Sequence, residues 1–156
     1  MGAKMINARG ETLTEKASFK SPYKRRRCLI PADGFYEWKV VAGSKAKTPM
    51  YIQTKGRKPF MLAGLWEVWH PGDENILSCT VITTEPNEFM AKIHNRMPVI
   101  LPPNAWEEWL DPDEAELGSL DHLLTAYPAD QMEAYEVSTL VNSPANDTAE
   151  CIAPAA

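Results

Sequence analysis

Two short segments of this sequence hold the residue types best suited to moving protons near neutral pH: Gly34-Phe35-Tyr36-Glu37-Trp38 and His94-Asn95-Arg96-Met97-Pro98. Along a strand, side chains alternate, so Tyr36, Trp38 and Val40 share one face while Phe35 and Glu37 share the other. A carboxyl beside an aromatic ring loses hydration, which raises its pKa and suits it to general acid or base work. The alternative is a glutamate on a solvated face. The second segment follows a predicted helix, Asn87–Ile93, and precedes a strand, so it forms a corner where functional groups collect. A histidine at a helix C-terminus meets the negative end of the macrodipole, which favours a protonated ring, and Arg96 offers a bidentate grip for phosphate. The alternative pairs Arg96 with an acidic neighbour and leaves His94 capping helix carbonyls. His70, beside Pro71-Gly72, and His122, inside a predicted helix, have no comparable company and read as structural.

Charge points to a polyanion. The formal net charge is −5, but residues 1–60 hold 14 Lys and Arg against 4 Asp and Glu, and residues 61–156 hold 2 against 17. A basic first part beside an acidic remainder lets one face meet nucleic acid while the other stays solvated. Lys16, Lys20, Lys24, Arg25, Arg26 and Arg27 recur in a stretch that also carries Phe19 and Tyr23. Cations interleaved with aromatics suit a single strand, whose phosphates take the charges while its bases stack on rings; the same run also reads as a solvated helix end. Trp66, Trp69, Trp106 and Trp109 read as core or interface, with Trp38 the most open to a binding role. Cys28, Cys79 and Cys151 are odd in number and widely spaced, so neither a disulfide framework nor a zinc site is favoured, and they read as reduced, mostly buried thiols. No run approaches the ~18 apolar residues of a membrane span, and the N-terminus lacks the apolar stretch of a secretion signal, which implies a cytoplasmic, nucleoid-associated setting.

The elements that must position these groups are mostly strands. Cys28–Ala32, Phe35–Val41, Pro49–Thr54, Phe60–Trp69, Leu77–Thr83, Met97–Leu101 and Ala134–Ser138 read as strands. Between them lie turns at Gly34, Ala42-Gly43-Ser44, Lys55-Gly56-Arg57 and Pro71–Asn75, the last two read as hairpin connections. Helices are predicted over Asn87–Ile93, from Asn104 to Leu110 and over Asp121–Ala126. The result is an α+β fold, mainly antiparallel β and barrel-like, forming one domain over residues 1–156 with a loop-like tail from 142 that only Cys151-Ile152 anchors.

Together these segments resemble the SRAP family, the SOS-response-associated peptidase proteins, which process abasic sites. The resemblance rests on Asn7–Thr12, Tyr23–Trp38, Ala63-Gly64-Leu65-Trp66-Glu67, Thr83-Thr84-Glu85-Pro86-Asn87 and Ile93–Pro98, which run along the chain in the family's order. It implies a mostly β fold that binds single-stranded DNA and attacks the ring-opened aldehyde of an abasic site, with no cofactor or metal. It further implies a cysteine, exposed when the initiator methionine is removed, that closes a thiazolidine on the aldehyde. Glu37 and His94 then handle proton transfers, Asn7 orients the nucleophile and Arg9 meets DNA phosphate. The candidate DNA contacts are Arg9, Lys20, Arg25, Arg26, Trp38, Trp66, Thr84, Arg96 and Met97.

The sequence opens Met1-Gly2-Ala3-Lys4, without a cysteine beside the initiator, so it is expected to lack the family's N-terminal segment. The Gly2 amine is then the remaining route to a simple Schiff base. Loss of strands should expose a sheet edge and favour dimerisation through it. Two other functions stay open: a thiol peptidase acting on a propeptide or DNA-bound protein, and a non-catalytic single-strand-binding module.

Overall fold

An unbroken apolar run, Phe60-Met61-Leu62-Ala63-Gly64-Leu65-Trp66, marks a strand covered on both faces, and in a computed structural model it forms part of the longest strand described, β5 (Phe60–Trp69). The structure describes residues 5–44, 46–113 and 116–155, which places Gly2 outside the described residues. The fold is α+β, as expected, and its residues group into two compact units.

The first unit comprises Met1–Pro31, Phe60–Glu85 and Met97–Tyr127. Its sheet is mixed: β1 (Asn7–Arg9) runs parallel to β6 (Ile76–Thr84), which pairs antiparallel with β5, and β2 (Arg27–Ala32) flanks β5 on its other side. Two short strands, β7 (Met97–Pro98) and β8 (Ile100–Leu101), pair with β6 and β5 respectively. Leu13, Phe19, Tyr23, Leu65, Ile82, Val99, Trp109 and Leu120 form the centre of its core. The second unit comprises Ala32–Pro59, Pro86–Arg96 and Pro128–Ala156, and its antiparallel sheet has the order β3 (Phe35–Val40), β4 (Lys47–Thr54), β9 (Met132–Glu136). The tail is held to this unit by the Val137–Pro154 bridge, by Ala155 N–H donating to the Glu136 carbonyl and by buried Cys151. Among the described residues no helix is long and apolar enough to cross a membrane.

Several expectations are corrected. The turn at residues 55–57 does not close a hairpin, because β4 and β5 belong to different sheets; the 70–75 turn does close one. Asn87–Ile93 forms only a 3₁₀ turn, Met90–Lys92, and Asp121–Ala126 only Asp121–Leu123, since segments this short propagate too few hydrogen bonds to offset helix nucleation. The predicted strand 97–101 divides at Val99, whose N–H donates to the Ile82 carbonyl while its own carbonyl accepts from Ala63 N–H. Helix α1 (Ala17–Arg25) was hidden by Pro22 and by the charge run, although its buried Phe19, Pro22 and Tyr23 follow helical spacing. The second helix, α2 (Trp106–Leu110), lies where expected. Cys79 is exposed and Cys28 half-buried, so only Cys151 fits the expected burial of the thiols.

Candidate functional site

Both proton-handling candidates belong to the second unit. Strand β3 places Glu37 opposite Met50 and Trp38 opposite Pro49 on β4, so adjacent side chains of the motif do point to opposite faces. His94 arrives on the segment after Pro86. There Asn87 Oδ1 accepts from Met90 N–H at 2.8 Å, the Met90 side chain is fully buried, and the Met90 carbonyl accepts from His94 N–H at 2.8 Å. A local turn therefore fixes the histidine, and the expected macrodipole plays no part, because the full helix is absent.

His94 Nδ1 lies 3.5 Å from Glu37 Oε1 and 3.2 Å from both the backbone nitrogen and the carbonyl oxygen of Arg96. When the nitrogen is protonated it faces two acceptors, Glu37 and the Arg96 carbonyl; when it is bare it can accept from Arg96 N–H. The surroundings serve both states of the ring, which is what a proton donor and acceptor requires. The Glu37 and His94 side chains are 23% and 35% exposed, open enough for a ligand to reach. Burial pushes the Glu37 carboxyl above its usual range, while His94, the Trp38 backbone N–H and Lys47 pull it back only in part. The expected cause, loss of hydration, is therefore the dominant one.

Beside the pair is a groove of about 430 Å³ lined by Trp38, Val40, Lys47, Lys92, His94 and Asn95 among others. The half-buried Trp38 ring is fixed by its Nε1, which donates to Asn142 Oδ1 at 2.7 Å. Arg96 is half-buried in the same unit.

The other candidates fall in the first unit. Asn7 and Arg9 are exposed on β1, where they flank buried Ala8. Lys20 and Arg25 are exposed on α1, while Arg26 ends that helix in a 2.7 Å ion pair with Glu67. Trp66 is exposed beside an apolar groove of about 760 Å³ that also includes Phe19, Trp69 and Cys79. Thr84 is buried and Met97 fully so; their side chains pack in the interior.

Arg27 belongs to the basic run but does structural work. It is buried and donates to the carbonyls of Tyr23, Lys24, Trp109 and Asp111, thereby tying the ends of α1 and α2 to β2. The Asn87 cap after Pro86 was legible in the sequence; Lys47, Lys92 and Asn142 were missed, because they enter through tertiary placement. Of the thiols, Cys28 is pushed up to about 11 by burial, which removes its nucleophilic form at neutral pH.

Comparison with known proteins gives the family. The family model for the SOS response associated peptidase (SRAP) matches residues 1–144. Abasic site processing protein YoaM of Bacillus subtilis is 54% identical over 97% of this chain and 67% of its own length. The HMCES abasic site processing protein of Xenopus tropicalis is 38% identical over 98% of this chain, and the match spans about half of that protein, 51%. A crystal structure of a Bacteroides thetaiotaomicron protein superposes with a TM-score of 0.88 at 30% identity, covering 99% of this chain and 67% of that one.

Proposed function

The chain belongs to the SOS response associated peptidase family, and from that premise we propose that it acts on abasic sites in single-stranded DNA, with Glu37 and His94 moving protons at the sugar aldehyde. The observation that carries this reading is the 3.5 Å approach of His94 to a half-buried carboxyl whose pKa is raised by burial. An amine adding to the ring-opened aldehyde forms a C–N bond and must lose a proton, which the Glu37 carboxylate accepts. Glu37 returns that proton to the carbonyl oxygen, which becomes a hydroxyl and leaves as water once His94 protonates it; the iminium left behind gives its remaining N–H proton back to His94 and becomes an imine. Where the amine belongs to an aminothiol, the sulfur then adds across the C=N bond and closes a five-membered ring. A raised carboxyl pKa suits this cycle, because the group must both take and return a proton near neutrality.

Native and denaturing gels with one oligonucleotide in three forms test the reading: single-stranded with a central abasic site, single-stranded and intact, and duplex. The proposal expects the abasic single strand to be bound most tightly. Equal affinity for all three, or for none, would overturn it.

A further inference from the structure

The tail of the chain lies behind the acid–base pair. In the register of the second unit's sheet, Tyr36 pairs with Tyr51 and Tyr51 with Tyr135, so these three rings form one row on the face of β3 opposite Glu37. The two outer hydroxyls donate to consecutive carbonyls of the tail, Tyr36 to Cys151 at 3.3 Å and Tyr135 to Ile152 at 2.7 Å. Trp38, next along the same face, donates to Asn142 Oδ1 at 2.7 Å. Both chain neighbours of Glu37 are therefore held by one segment, which runs from the 3₁₀ turn Thr139–Asn142 to the 3₁₀ turn Ala149–Ile152 and is rooted by buried Cys151.

We propose that residues 139–152 form a positioning clamp, in which the Asn142 side chain and the Cys151 carbonyl hold Trp38 and Tyr36 and so fix Glu37, carried between them on the other face of β3, against His94. The inference rests on the reading given above and deepens it with residues that act only through β3. That strand needs a second hold. It is an edge strand, joined to its sheet by the single ladder with β4, and such a strand shifts more easily than one bonded on both sides. His94 is already fixed by its own turn, which leaves Glu37 as the partner to be positioned. The two anchors stand about 7 Å apart along β3, on either side of Glu37, so neither sliding nor rolling of the strand leaves both intact. Holding the strand also keeps water from the Glu37 carboxyl, whose pKa is raised chiefly by burial; the charged groups that face it are His94, from the 86–96 segment, and Lys47, from β4.

Two measurements on the full chain, made below the Tm of every variant, test the clamp. The first is the rate at which cysteamine, an aminothiol, captures the aldehyde of an abasic single-stranded oligonucleotide at saturating protein, divided by the rate without protein. Misplacing a reacting group by about 1 Å costs about 10²-fold, so a partial loosening of β3 by Asn142→Leu with Tyr36→Phe should lower the acceleration about tenfold, and either change alone about threefold. Asn142→Asp keeps an acceptor for the indole and should keep the acceleration. The second is an NMR titration of the Glu37 carboxyl without DNA, its signal identified by its absence in Glu37→Gln. In the double variant the looser strand admits water, so the carboxyl should titrate at lower pH, nearer the ordinary carboxylate range. Tyr23→Phe, which strips a hydroxyl bonded to Asp121 and Leu120 in the first unit, is the destabilised control and should change neither readout. Wild-type acceleration or wild-type titration in the folded double variant, or an equal change in Tyr23→Phe, would overturn the clamp. A wild-type chain that binds the strand without accelerating capture would overturn the function reading, and the titration then decides the clamp: a downward move in the double variant upholds it and no move overturns it.

Discussion

Replacing Gly34 with alanine tests how the motif holds β3 in place. A Cβ built at Gly34 would lie 2.5 Å from Tyr51 Oη and 2.7 Å from its Cε2, both well inside ordinary contact, so the ring must move. Tyr51 is only 7% exposed and packs against two other rings, Tyr36 at 5.4 Å and Tyr135 at 5.5 Å between centroids. Overpacking of this kind costs about 1–3 kcal/mol, and weakening two aromatic contacts adds about 1 kcal/mol. For a chain of this size, a total of about 3 kcal/mol corresponds to a fall in Tm of about 6–12 °C. Thermal melts followed by circular dichroism measure this directly. Tyr51→Leu, which opens the space, should recover part of the loss in the double variant, giving a positive coupling. A Gly34→Ala protein that melts within a degree of wild type, or strictly additive losses in the double variant, would refute the steric account.

Three further outcomes follow from the same physics. Because burial raises the folded-state pKa of Glu37, its contribution to stability is complete below the unfolded value near 4.5 and is lost as pH rises through the folded value. Glu37→Gln should therefore melt above wild type at pH 7 and converge with it in acid, and a gap that ignores pH would contradict the burial argument. Arg27→Met strips four carbonyls of a buried donor and should destabilise the fold by about 3 kcal/mol or more while leaving the salt dependence of DNA binding intact; the reverse pattern in melts and anisotropy would return Arg27 to the DNA surface. Strand β1 ends its sheet beside Ile6, which is 65% exposed, so concentration-dependent self-association that Ile6→Lys removes is expected in sedimentation. A strict monomer at every concentration would argue against that edge as an interface.

The sequence was most legible where one residue's neighbours along the chain decide its state. β5 was read to the residue from its apolar run, and the 70–75 turn from Pro71-Gly72, where Gly72 takes a φ of +74°. The opposition of Glu37 and Trp38 across β3 followed from alternation alone. Legibility failed where distant partners decide. Arg27 looks like its basic neighbours, but four carbonyls at the C-terminal ends of two helices claim it. Lys47 and Asn142 lie in unremarkable stretches and reach the site only because β4 pairs with β3 and the tail folds back to Trp38. The 86–96 segment shows both sides: its corner position was legible, whereas its 3₁₀ rather than α conformation depends on a buried Met90 and on Asn87, whose Nδ2 also donates to Met132 Sδ.

Supplying the nucleophile from solution shows whether Glu37 and His94 work as an acid–base pair at an abasic aldehyde. Cysteamine presents an amine and a thiol, and its capture of the aldehyde on an abasic single-stranded oligonucleotide can be timed by mass spectrometry with and without protein. Positioned general acid–base catalysis predicts an acceleration of about 10²-fold by the wild-type chain. That acceleration should disappear in Glu37→Gln and His94→Ala while both variants still bind the oligonucleotide. A wild-type chain that binds the abasic strand yet leaves the capture rate unchanged, or a Glu37→Gln variant that accelerates it equally, would contradict the account.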